Sequence, residues 1–340
     1  MITHLSVSRR AFGTLLLASV PAATAIAQQN VTQQNAVSLP SWREGKTKRA
    51  ILNFLQATTT AGSPDYVPPA ERIAVFDNDG TLWTEQPMYT QVTFALARLQ
   101  ALAPQHPDWA TREPFRSALA GDMATLAQGG LRALGQIAIA TQADTTPEAF
   151  HRIVTDWLAT ARHPRFQRPY TDCVYQPMLE VLALFRVRGF RTYIASGGTV
   201  EFMRPWTEGV YGVRADQVVG STLKLRYQFQ QGRGDLVQTS ELDLLDEGPG
   251  KPAGIFQLLG QRPIAAFGNS DGDYEMLQYV TSGPGKRLAV LIHHDDGARE
   301  YAYDRQSKIG QLDRALTDAP KNGWLVTSMK NDWSRMFSRT

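Results

Sequence analysis

The sequence predicts an α/β protein: a Rossmann-like, three-layer core around a mostly parallel sheet, with a helical cap domain inserted after the first strand. Two observations lead there. Short, largely apolar runs at 73–76, 192–195, 264–267 and 288–292 each stop at a polar cluster, the pattern of strands buried on both faces. Between the first and second runs lies a stretch of roughly a hundred residues with helical spacing, although one crossover needs only a dozen or so. With 340 residues, 43% of them hydrophobic and 20% charged, the chain can build one large core and a smaller domain.

Taken in order, residues 1–27 read as an export signal. Ser8-Arg9-Arg10-Ala11-Phe12 precedes an apolar stretch ending in Ala25-Ile26-Ala27, a small-x-small cleavage pattern, and the paired arginines are similar to the twin-arginine type. The apolar run is short for a membrane span and is interrupted by Pro21, which disfavours an uncleaved anchor. The predicted location is periplasmic, reached in the folded state, with no stable membrane association after cleavage. Loss of Arg9 and Arg10 leaves 33 basic against 32 acidic residues and moves the formal charge from +3 to +1. A near-neutral chain without a basic stripe argues against nucleic acid as a partner. The single cysteine, Cys173, rules out an intrachain disulfide and a thiolate metal cage.

Residues 28–70 supply a flexible leader and, from Lys46, a helix whose apolar face is Ile51, Leu52, Phe54 and Leu55; Pro68-Pro69 then bar helix and lead into the first strand. The first part of the core, 71–83, contains Asp77-Asn78-Asp79-Gly80-Thr81. Two carboxylates one residue apart stand where the strand ends, with Gly80 to turn the backbone and Thr81 to donate a hydroxyl hydrogen bond. In open α/β sheets that edge is where ligands bind. Residues 84–187 form the expected cap, with helical spacing in Phe94, Leu96, Leu99 and Leu102, then over 119–139 and 150–158; an insertion at this point forms a lid.

The second part of the core is 188–340. Its strand at 192–195 runs into Ser196-Gly197-Gly198-Thr199, where backbone N–H groups at a helix start suit an oxyanion or phosphate. An edge hairpin is expected between Gln217 and Asp246, around Gly232-Arg233-Gly234. Gly248-Pro249-Gly250-Lys251 has the wrong spacing for a P-loop and instead opens a helix. The strand at 264–267 meets Gly268-Asn269-Ser270-Asp271-Gly272-Asp273, a cluster of oxygen donors. After the strand at 288–292, His293 and His294 point to opposite faces of an extended segment, which argues against zinc.

A carboxylate pair, a serine with glycines, a lysine and an acid-rich loop thus follow one another in that order. With these motifs the sequence resembles the haloacid dehalogenase superfamily of phosphohydrolases, in particular its phosphoserine-phosphatase-like branch, over residues 71–295. Asp77-Asn78-Asp79-Gly80-Thr81 matches the first motif, Ser196 the second, Lys251 the third, and Gly268 to Asp273 the fourth. The resemblance implies that Asp77 attacks phosphorus to give an aspartyl-phosphate and that Asp79 protonates the leaving oxygen and later deprotonates water. It implies Mg2+ held by Asp77, the Asp79 carbonyl, Asn269 and Asp273, and Lys251 as the catalytic cation. The substrate is then a small-molecule phosphate ester, with Ser196, Gly197, Thr81 and Glu85 as its binding residues. Glu85 would meet a cationic group on that ester, with Trp83 and Tyr89 as an aromatic wall.

One departure stands out. Where the phosphoserine-phosphatase-like pattern has Gly-Asp and, after three residues, Asp, this chain has Gly268-Asn269 and Asp273, with an extra acid at Asp271. Either Asn269 ligates through its amide oxygen with support from Asp273, or Asp271 swings in. The predicted activity is an exported, magnesium-dependent phosphomonoesterase. A phosphotransferase or mutase would share all four motifs. A carbon–halogen hydrolase has no use for Asp79 or a metal, and a periplasmic solute-binding protein leaves Asp77, Asp79 and Lys251 unexplained. Asn269 could also mark a non-catalytic relative.

Overall fold

The computed structural model describes residues 39–338. The expected export signal, 1–27, and the leader up to residue 38 lie outside the described residues. Eight strands, β1 (Ile73–Phe76), β2 (Arg191–Thr199), β3 (Val218–Gln230), β4 (Arg233–Leu244), β5 (Ala265–Gly268), β6 (Leu288–Asp295), β7 (Ala302–Tyr303) and β8 (Leu325–Ser328), form one sheet. Their order is β4-β3-β2-β1-β5-β6-β7, with β8 beside β6. β1 pairs in parallel with β2 and β5, as do β2 with β3, β5 with β6, and β6 with β8; β3–β4 and β6–β7 are antiparallel.

β1 shows why the sheet is buried on both faces. All four of its residues are apolar and inaccessible. Alternate side chains point to opposite layers. Ala74 and Phe76 join a cluster with Ile51 and Phe54 of the helix Lys46–Thr59 and with Val181, Leu182 and Phe185 of the helix Gln176–Val187. Val75 faces Ile255 of Gly250–Leu259, Met276 and Leu277 of Tyr274–Thr281, and Ala315 of Arg314–Asn322. Within the sheet, Phe76 and Phe267 stack with centroids 4.5 Å apart. The chain leaves β1 for β2 on one side and returns to β5 on the other, so the crevice at the carboxyl end of β1 is a topological switch point, where α/β sheets bind ligands.

The cap comprises the helices Thr90–Leu102, Phe115–Ala120, Met123–Gln142 and Pro147–Thr160, the third of them broken at Gly130. Leu99, Trp109, Phe115, Leu126 and Ile137 give it a small core of its own. Phe94, Phe150 and Val154 join the main core, with Phe94 against Phe202 at 5.4 Å. The β3–β4 hairpin turns at Gln231 and Gly232, both with positive φ, the backbone that two-residue hairpin loops favour. It bonds to the cap through Asp144 N to Gln238 O and Gln238 N to Thr145 O, each 2.9 Å.

One expectation is corrected. The cap does not extend to residue 187, because Gln176–Val187 buries Met178, Val181, Leu182, Leu184 and Phe185 in the main cluster under the sheet and so belongs to a core layer. The C-terminal region contributes β8, a strand of four residues too short to announce itself by alternation. No helix among the described residues is long and apolar enough to cross a membrane.

Candidate active site

The loop after β1 is tied into the sheet before it turns. Asp77 N donates to Phe267 O at 2.9 Å, so the first residue past the strand is still held by β5. Asn78 O then accepts from Leu82 N at 2.8 Å, and Gly80 N donates to Trp83 O at 2.8 Å. Gly80 has φ +74°, and a Cβ there would overlap both the Asn269 amide and the Glu85 carboxylate. Glycine is required by conformation and by space.

Lys251 lies in the first turn of the helix Gly250–Leu259. Its Nζ is 2.7 Å from Asp77 Oδ1 and 2.5 Å from Asp273 Oδ1. Asp273 is fully buried, and its Oδ2 accepts from Asn269 N at 2.9 Å and Ser270 N at 3.1 Å. Burial alone would lower the Lys251 pKa, but Asp273 and Asp77 hold the ammonium well above its ordinary value. Asp77 is raised well above the carboxylate range, first by burial and then by Asp273, with Lys251 opposing. Two buried carboxylates share one ammonium, and the pair is short of positive charge.

That shortage extends through the site. Burial pushes Asp79 up to about 6, although Trp83 Nε1 donates to its Oδ1 at 2.8 Å. Glu85 is raised well above its ordinary value, and Asp246 to about 7, both mainly by burial; Glu247 is also raised by burial. Asp246 is inaccessible, and neither of its oxygens has a hydrogen-bond partner among the described residues. Lys251 thus supplies one positive charge against Asp77, Asp79, Glu85, Asp246, Glu247 and Asp273. Among the described residues no three His, Cys, Asp or Glu side chains form a ready-made cage. The available donors are of mixed kind: the Asp77 carboxylate, the Asp79 carbonyl, which accepts no hydrogen bond among the described residues, and the Asn269 amide. Oxygen donors with an excess of buried negative charge fit a hard divalent cation such as Mg2+.

Beside β1, Ser196 and Gly220 are paired, as are Thr199 and Ser221, so Gly197 and Gly198 are extra residues that bulge from β2. The strand continues to Thr199, beyond the expected end at 195, before the short helix Val200–Met203. Ser196 Oγ accepts from Gly198 N at 3.1 Å, and Gly197 O accepts from Ser221 Oγ at 2.8 Å. The cap reaches this bulge: Gln91 Nε2 donates to Thr199 Oγ1 at 2.8 Å, and Thr199 Oγ1 donates to Gln142 Oε1 at 3.0 Å. The Glu247 carboxylate lies between Gly197 and Gly272, touching the positions where a side chain on either would begin.

Asp77, Asp79, Lys251, Ser196, Gly197 and Asn269 therefore meet around the end of β1. Four other residues do different work from that expected. The Thr81 hydroxyl is inaccessible and donates to Asn269 Oδ1 at 2.9 Å, so it holds the Asn269 amide and cannot hold substrate. Glu85, 2% exposed, accepts from Asn269 Nδ2 and from Tyr303 OH, both at 2.7 Å, and does not line a substrate wall. Asp273 spends its oxygens on Lys251 and two backbone N–H groups. Asp271 turns away and accepts from Asp313 N, Arg314 N and Ala315 N at 3.2, 3.1 and 2.8 Å, capping the helix Arg314–Asn322.

The sequence reading missed a second buried network. His294 Nε2 sits 2.7 Å from Gly80 O, and its Nδ1 is 3.2 Å from Glu300 Oε2. Glu300 Oε1 accepts from Thr84 Oγ1 at 2.6 Å. Alternation along β6 did indicate that His293 and His294 part company, but only pairing shows that His294 is the inward one. The acid pair Asp246-Glu247 before the Gly-Pro-Gly turn was the available signal for the negative rim.

Comparison with known proteins gives the family and the fold. A family model described as haloacid dehalogenase-like hydrolase matches residues 74–278. No curated protein matches the chain in sequence. Among solved structures, a conserved protein of unknown function from Anaerococcus prevotii aligns with a TM-score of 0.53 at 13% identity, covering 83% of this chain and 91% of its own. A protein of unknown function from Bordetella pertussis gives 0.48 at 14%, covering 75% and 97%. A phosphoserine phosphohydrolase-like protein from Francisella tularensis gives 0.38 at 14%, covering 74% and 98%. The likeness to the first is one of fold. The family match spans more than half of the chain, from β1 through the loop that carries Asn269 and Asp273, and the chain belongs to the haloacid dehalogenase-like hydrolases.

Proposed function

We propose that this hydrolase is a magnesium-dependent phosphomonoesterase, exported to the periplasm, that acts on small phosphate esters through an aspartyl-phosphate. The observation that carries the reading is the Lys251 ammonium set between Asp77 and Asp273 beside the raised Asp79 carboxyl. A phosphate monoester is anionic and repels an anionic nucleophile, so attack by Asp77 needs positive charge on both partners. Lys251 supplies part of it. Asp77, the Asp79 carbonyl and Asn269 would hold the cation, which when bound screens the remaining charge on carboxylate and phosphate.

The residues then divide the work. An Asp77 oxygen bonds to phosphorus as the bond from phosphorus to the ester oxygen breaks, and Asp79 gives its proton to that leaving oxygen. In the second half Asp79 takes a proton from water as water attacks phosphorus, releasing inorganic phosphate and restoring Asp77. Ser196 and the Gly197 backbone hold phosphoryl oxygens, and Lys251 stabilises their charge. The cap, joined to this bulge through Gln91 and Gln142, keeps bulk water from the phosphoryl group.

The test is hydrolysis of a generic aryl phosphate with and without Mg2+. Wild type should turn over only with the ion, and Asp77→Asn should lose about 10³-fold or more in kcat. Undiminished activity in Asp77→Asn would sink the mechanism.

A further inference from the structure

The acid missing from position 269 has a replacement close by in space. Asn269 is neutral, and both ends of its amide are engaged: Oδ1 accepts from Thr81 Oγ1 at 2.9 Å, and Nδ2 donates to Glu85 Oε1 at 2.7 Å. Glu85 arrives from the segment after the first motif and is 2% exposed. Its Oε1 also accepts from Tyr303 OH on β7 at 2.7 Å, and its Oε2 has no hydrogen-bond partner among the described residues. Gly80 and Gly310 both lack the side chain that would collide with this carboxylate. A carboxylate as little exposed as Glu85 is costly to keep charged unless a cation answers it. Among the described residues Glu85 has no cationic side chain in hydrogen-bond contact, and it packs against Gly80, next to the Asp79 carbonyl.

We propose that Glu85 is the charge-compensating residue of the cation site: it fixes the Asn269 amide through Nδ2 and supplies the negative charge that an aspartate at 269 would otherwise bring. Asn269 and Glu85 together then do the work of one ligating carboxylate, with Tyr303 and Thr81 locking the pair. This rests on the reading of the site as a magnesium site. It also explains the close approach at Gly80 and Gly310, which a surface glutamate reaching for substrate would not need. An aspartate at 269 would face Glu85 as a second acid, so the two positions are chemically exclusive in the absence of metal.

The experiment is titration of Mg2+ into substrate-free protein by calorimetry, with thermal melting in the absence of Mg2+ alongside. Glu85→Gln keeps the shape and the Nδ2 bond but removes the charge; it should bind Mg2+ about 10-fold to 100-fold more weakly than wild type. Adding Asn269→Asp to Glu85→Gln should restore most of that affinity. Asn269→Asp alone should melt lower without Mg2+ and recover with it, since two carboxylates then meet. This arm remains decisive should Glu85→Gln not fold. Equal Mg2+ affinity in Glu85→Gln and wild type overturns the proposal, as does a double variant no tighter than Glu85→Gln. An Asn269→Asp protein unchanged in melting and in affinity also overturns it, as does a Glu85→Gln effect confined to the KM of amine-bearing esters. Each of these leaves the magnesium reading standing. A wild-type enzyme that hydrolyses esters yet takes up no Mg2+ overturns both.

Discussion

Asp79 illustrates how little separates an ordinary carboxylate from a proton-transfer group. Burial raises it to about 6, although the Trp83 indole N–H donates to it. To protonate a leaving oxygen it must carry a proton, so turnover should fall as pH rises through about 6. Asp79→Asn should flatten that limb of the kcat–pH profile and lower kcat by about 10²-fold to 10⁴-fold. The same shift has a stability consequence. A carboxyl with a raised folded-state pKa contributes stability that is complete below its unfolded pKa and lost as pH rises through the folded one. The magnesium-free protein should therefore melt at a lower temperature as pH rises through about 6 and, for Asp246, about 7. Asp77, Asp79 and Lys251 were legible because each stands at a strand end or helix start marked by a turn residue. Glu85 was visible but misassigned: its partner Asn269 is 184 residues away, and nothing local says that the two touch.

At the scale of elements, the acid-rich loop after β5 divides into two halves with separate duties. Asp273 faces inward to Lys251, and Asp271 faces outward to cap the helix Arg314–Asn322 through three backbone N–H groups. Asp271→Ala should cost about 1–2 kcal/mol of stability and leave Mg2+ affinity unchanged, as melting and calorimetry would show. Loss of Mg2+ binding instead would return Asp271 to the metal site. Both acids read as one donor cluster because spacing alone does not tell an acid that caps a distant helix from a ligand. Similarly, the helix Gln176–Val187 was read as cap because its periodicity is the same whichever layer it faces. Only the direction of Phe185 toward Phe76 and Phe267, at 6.0 and 5.5 Å, places it under the sheet.

Across the whole molecule, the cap and core meet over Thr199. Its hydroxyl accepts from Gln91 and donates to Gln142, and its backbone N–H donates to Gln91 Oε1 at 2.9 Å. All three side chains are buried, so Thr199→Val should leave the Gln91 Nε2 donor and the Gln142 Oε1 acceptor without their partner and cost about 1–3 kcal/mol in thermal unfolding. A melting curve superimposable on wild type would show that the seam contributes nothing. The sheet's central strands were legible as apolar runs, and so was the long insertion. The seam was not, because it joins glutamines and a threonine that resemble surface residues until the cap is folded down. The account as a whole depends on two successive displacements at phosphorus, first by Asp77 and then by water. Hydrolysis of a phosphorothioate monoester made chiral at phosphorus with two oxygen isotopes, in water enriched in the third, tests this directly. Two displacements predict net retention of configuration in the released thiophosphate, and net inversion would contradict the covalent role of Asp77.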